Sequence, residues 1–138
     1  MTIFAYTDGA SRGNPGESGV GIILKDESGK VIKSHFGYIG QATNNVAEYM
    51  ALATCLKIVR GIECDNLVVH SDSELMVRQL NGQYKVKDKG LKEHFLNIQK
   101  ILTSSPFKFE IKHVPRDENH EADQLANRGI DTKKYLVE

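Results

Sequence analysis

The chain has no tryptophan, three prolines, two cysteines and no surplus of either charge. Eighteen lysines and arginines balance eighteen aspartates and glutamates, so the formal net charge is zero. A protein that grips nucleic acid regardless of sequence is usually basic, so this balance argues against a purely electrostatic binder. It leaves room for an enzyme whose own metal cations meet the phosphates. Cys55 lies within an apolar helical pattern, which favours a buried thiol over a disulfide. There is no signal peptide and no apolar run long enough to span a membrane, so a cytoplasmic protein is expected. Internal repeats, low-complexity tracts and linkers are also missing. Residues 1–138 are therefore expected to form one domain around one core.

What is present is an alternation of strands and helices. Residues 2–8 read as a strand buried on both faces that stops at Asp8, before the glycine- and proline-rich Gly9-Ala10-Ser11-Arg12-Gly13-Asn14-Pro15-Gly16. Residues 19–25 and 30–39 read as two more strands, joined by the turn Asp26-Glu27-Ser28-Gly29. Short connections make these three an antiparallel meander. Thr43 caps a helix reaching about Arg60. Residues 66–72 form a strand that again ends in an aspartate. Strand–helix–strand order predicts that it lies parallel to the first. A short helix over 73–80, a helix carrying Leu91, Phe95, Ile98 and Leu102 on one face, a strand over 107–114 and a helix over about 119–129 complete the chain. The expected fold is α/β.

Four acidic residues stand out by position. Asp8 and Asp72 end strands that are predicted to be neighbours, about 5 Å apart. Glu48 shares a helical stripe with Leu52, Cys55 and Val59, and Asp123 shares one with Ala126 and Ile130. Each taken singly has a plain explanation: a turn former, a side chain reaching past the core's rim, an acid favoured near a helix N-terminus. Together they gather at the carboxyl edge of the predicted sheet, where open α/β sheets place their sites. Carboxylates that close repel unless a cation bridges them or one is protonated. An all-oxygen cluster suits magnesium or manganese rather than zinc. Two such ions about 4 Å apart serve in-line phosphoryl displacement.

The blocks Thr7-Asp8-Gly9-Ala10-Ser11 with Gly13-Asn14-Pro15-Gly16, Thr43-Asn44-Asn45-Val46-Ala47-Glu48, Ser71-Asp72-Ser73 and Pro115-Arg116-Asp117-Glu118-Asn119-His120-Glu121-Ala122-Asp123 resemble type I ribonuclease H. The likeness covers nearly the whole chain. It implies a ribonuclease H-like five-stranded mixed sheet, three antiparallel strands then two parallel, flanked by helices. It further implies hydrolysis of the RNA strand of RNA–DNA hybrids, leaving 5′-phosphate and 3′-hydroxyl ends, with two Mg²⁺ ions and Mn²⁺ as a substitute; a monomer is the separate expectation for the chain. Asp8 would bridge both ions, Glu48 and Asp72 would complete the ion on the leaving-group side, and Asp123 the ion holding the attacking water. Gly9, Asn44, Asn45 and Glu74 match positions that contact the 2′-hydroxyl, which DNA lacks. Asn14 and Thr43 match positions that hold the DNA-strand phosphate.

The chain departs from the family pattern in three places. Glu74 stands where many relatives carry glutamine, and an ionised carboxylate accepts but does not donate. Only Gln83 to Lys92, with Lys85, Lys87, Lys89 and Lys92 against Asp88, stands where many bacterial relatives have a long basic protrusion. Weak hybrid affinity and a steep salt dependence are expected from so short a patch. The family's loop histidine, which assists product release or proton transfer, has no direct counterpart. Arg116 and His113 are comparable candidates for that task.

Overall fold

A computed structural model describes residues 1–136. The strands are β1 (Thr2–Gly13), β2 (Gly16–Lys25), β3 (Val31–Ala42), β4 (Asn66–Ser71) and β5 (Lys108–His113). The helices are α1 (Asn44–Arg60), α2 (Glu74–Leu80), α3 (Lys89–Thr103) and α4 (His120–Thr132), with a 3-10 turn over Arg116–Asn119 before α4. The sheet order is β3-β2-β1-β4-β5. β1 pairs antiparallel with β2 and parallel with β4, which in turn runs parallel to β5. This is the five-stranded mixed sheet expected. Among the described residues, no helix is long and apolar enough to cross a membrane.

Two expectations about β1 need correction. The strand does not stop at Asp8. Its ladder with β2 runs through Asp8↔Gly21 to Gly13↔Gly16, and only the ladder with β4 ends there, at Thr7↔Ser71. Nor is it buried on both faces: Ile3, Ala5 and Thr7 are buried, while Phe4 and Tyr6 are half-buried. The reason is helix coverage. α1 packs on the face carrying Ile3 and Ala5, whereas Tyr6 stacks on His70, ring centroids 4.4 Å apart, and takes Lys25 over its ring at 5.1 Å. Smaller shifts are that β2 begins at Gly16, β3 extends to Ala42 and α4 extends to Thr132.

The core lies between the sheet and α1. Thr43 caps α1 by accepting from the Val46 N–H at 3.2 Å. Leu52, Cys55 and Val59 are fully buried below Glu48 on one stripe, each leucine-sized side chain contributing about 1.5–3 kcal/mol. On the other face α4 lies close against β2. A Cβ at Gly21 would sit 2.2 Å from the Ala122 carbonyl oxygen, so only glycine permits this approach. Because Gly21 pairs with Asp8, the close approach brings the start of α4 beside Asp8.

Candidate active site

Four acids reach one cleft from four elements. Asp8 comes from the middle of β1, Glu48 from the second turn of α1, Asp72 from the residue after β4 and Asp123 from the first turn of α4. Carboxylate oxygens of Asp8, Glu48 and Asp72 all lie within 4.8 Å of one another. Asp123 borders the same cleft of about 390 Å³, and its charge adds to those that raise the Asp8 carboxyl. Gly9, Ala10, Ser11, Asn44, Arg116 and Asn127 complete its walls.

The packing makes the electrostatics unfavourable. Asp8 is 4% and Glu48 8% exposed. Among the described residues, no ion pair reaches Asp8, Glu48 or Asp72. Burial first, then the charges of Glu48 and Asp72, push the Asp8 carboxyl up to about 10. Burial and the charge of Asp72 raise Glu48 well above its ordinary value, against a hydrogen bond from the Gly9 N–H at 2.8 Å that favours the carboxylate. That bond needs the glycine: a Cβ at Gly9 would lie 2.2 Å from the Ala47 carbonyl carbon. A crowded set of oxygen donors, with no basic side chain paired to it among the described residues, fits a hard divalent ion of the magnesium type.

The other expected residues divide. Asn14 accepts from the Asn44 N–H at 3.0 Å and, with Thr43 and Asn45, lines a second hollow of about 260 Å³ beside Asp88 and Leu91. Gly9 and Asn44 border the acidic cleft. Glu74 does not; it is exposed at the start of α2 and pairs with Arg78 at 3.1 Å. Of the two basic candidates, Arg116 borders the cleft, while His113 is exposed at the end of β5.

Residues that sequence reasoning passed over support this arrangement. Asn119, 1% exposed, donates through Nδ2 to the Thr7 carbonyl at 2.8 Å and approaches Asp72 Oδ2 at 3.5 Å. It thereby ties the 3-10 turn to the two aspartate-bearing strands. Nothing in the loop's composition marked it. Asn127 donates to Asp123 and stands four residues after it on α4, a spacing that was visible in the sequence.

A mixed sheet in this order, with acids converging where β1 and β4 part, defines the ribonuclease H-like fold. The family model described as reverse transcriptase-like matches residues 6–129. Ribonuclease HI of Halobacterium salinarum is 39% identical over 129 residues, 94% of this chain and 64% of that protein. The Bifunctional protein Rv2228c of Mycobacterium tuberculosis is 36% identical over 132 residues, 95% of this chain and 36% of that protein. The chain thus spans less than two-thirds of either relative's length. A solved structure, LC11-RNase H1 in complex with an RNA/DNA hybrid, superposes with a TM-score of 0.90 at 42% identity, covering 94% of this chain and 97% of that one. The chain belongs to the type I ribonuclease H family.

Proposed function

We propose that this chain is an endoribonuclease that hydrolyses the RNA strand of RNA–DNA hybrids, leaving 5′-phosphate and 3′-hydroxyl ends. The observation that carries the reading is the convergence of Asp8, Glu48 and Asp72 oxygens within 4.8 Å, with Asp123 on the same cleft. The hybrid complex of the similar LC11 enzyme supports the substrate class. Asp8 would serve two Mg²⁺ ions, Glu48 and Asp72 the one on the leaving-group side, and Asp123 the one on the side of the attacking water, with Mn²⁺ able to substitute. Bound ions of this kind activate water and neutralise charge on the phosphate.

The chain's own groups supply position and selectivity. The Gly9 backbone with Asn44 and Asn45 offers neutral amide donors and acceptors suited to a 2′-hydroxyl in a shallow minor groove. Asn14 and Thr43 take a phosphate of the DNA strand. Glu74, when ionised, offers only acceptors to the substrate. Arg116, at the cleft wall, attends the leaving phosphate in preference to His113, which stands outside it. The reading extends to a monomer acting as one ribonuclease H domain over residues 1–138.

The test is labelled RNA–DNA hybrid, duplex DNA and duplex RNA incubated side by side, with Mg²⁺ and with chelator. Cleavage confined to the RNA of the hybrid and dependent on the ion is expected. Equal cutting of duplex DNA, or cutting that survives chelation, overturns the proposal.

A further inference from the structure

Of the four acids, Asp123 alone falls outside the tight trio, and it is only half-buried. Packing of α4 on β2 brings it there, and a second set of hydrogen bonds reaches it. Asp123, Asn127 and Asp131 occupy i, i+4 and i+8 on one face of α4. Asp8 and Arg12 stand four residues apart on β1, hence on one face of the sheet. The two stripes meet. Arg12 Nη1 lies 2.6 Å from Asp131 Oδ1, and Arg12 Nη2 donates to Asn127 Oδ1 at 3.3 Å and to the Asn127 carbonyl at 3.4 Å. Asn127 Nδ2 donates in turn to the Asp123 carbonyl at 3.0 Å and to Asp123 Oδ1 at 3.3 Å.

This chain of donors has one polarity. Arginine only donates, so it fixes Asn127 Oδ1 on its own side and turns Nδ2 toward Asp123. Both ends of the amide are then committed within the protein, to Arg12 on one side and to Asp123 on the other. The arrangement opposes a real force, since Asp8 and Asp123 are both acids and the charge of one disfavours ionisation of the other. The geometry points to Asn127, oriented by Arg12, as a positioning residue that holds Asp123 against Asp8 for divalent-ion binding. The inference rests on the divalent-ion reading above. Groups that orient metal-binding carboxylates typically govern metal affinity by about 10–100-fold.

Calorimetric titration of Mn²⁺ into chelator-stripped protein tests it without reference to turnover. Asn127→Ala is expected to weaken ion binding about 10-fold, with the Mg²⁺ midpoint for cleavage shifted by a similar factor and hybrid KM unchanged. Arg12→Ala should weaken it less, about 3-fold, and Arg12→Lys should recover part of the loss. The double variant should be no worse than Asn127→Ala, because Arg12 acts through the amide. Melting of the stripped variants verifies that they are folded. Wild-type ion affinity in folded Asn127→Ala, or strictly multiplicative single effects, overturns the positioning role while leaving the activity intact. Failure of the wild-type protein to bind the ion or cut hybrid overturns the functional reading and this inference together.

Discussion

The acids of the cleft and the acids of the rim are chemically the same groups in opposite circumstances. On the rim, the amino terminus holds Asp65 below the usual carboxylate range, Lys133 does the same for Glu17, and Arg12 for Asp131. In the cleft, burial and like charges drive Asp8 and Glu48 upward. The rim acids have partners that folding brings to them, whereas the cleft acids are brought to one another. Packing done elsewhere, by α1 against β1 and by α4 against β2, holds them there. That is the signature of a functional site rather than of a network that stabilises the fold.

The sharpest way to break this contrast is to remove Asp8, the acid proposed to serve both ions. Asp8→Asn is expected to lower hybrid cleavage about 10³-fold or more, some 4 kcal/mol of barrier, with the fold intact. Substantial activity in Mg²⁺ would mean that Asp8 is not the bridging group. Next comes the packing that places Asp123. Gly21→Ala forces α4 away from β2 and should cost about 10²-fold in turnover through misplacement alone. Steady-state kinetics on the folded variant measures it, and an unchanged rate would detach helix position from the chemistry.

The third effect is on stability, and its sign differs between the two regions. Burial and the neighbouring acids push the folded Asp8 carboxyl from 3.8 up to about 10, so the folded chain favours the extra proton across that window. Stability from this group is therefore full at low pH and lost as pH rises. Rim acids such as Asp65 and Asp131 act oppositely, contributing above their unfolded values and losing that contribution as pH falls. In chelator, the melting temperature of the wild type should fall from about pH 5 to about pH 9 more steeply than that of Asp8→Asn. At about pH 8 the variant should be the more stable by about 2 kcal/mol. Parallel melting curves would show the cleft charge to be already compensated. The smallest effect concerns rim cations. Neutralising two of Lys85, Lys87, Lys89 and Lys92 should flatten the slope of log affinity against log salt, by about one unit for each phosphate that a lysine no longer neutralises. An unchanged slope removes this segment from the binding surface.

Local signals carried much of this. The stripe Glu48-Leu52-Cys55-Val59 and the Thr43 cap each depend on a few neighbouring residues, and the structure repeats them. The extent of β1 is not legible locally, because Asp8 and Gly9 look like terminators. In the sheet, β2 continues the ladder past them and the chain turns only between Gly13 and Gly16. The half-exposure of Tyr6 was equally hidden, because it depends on which strands α4 covers.

The linear order of residues determined the helices, the strands and the identity of the acids, because periodicity, capping and turn chemistry act over a few residues at a time. It did not determine the Gly21–Ala122 approach, the Asn119 bridge or the Arg12–Asn127–Asp123 chain. Those join residues up to 115 positions apart, and only the close packing of α4 on the sheet brings them within hydrogen-bonding distance.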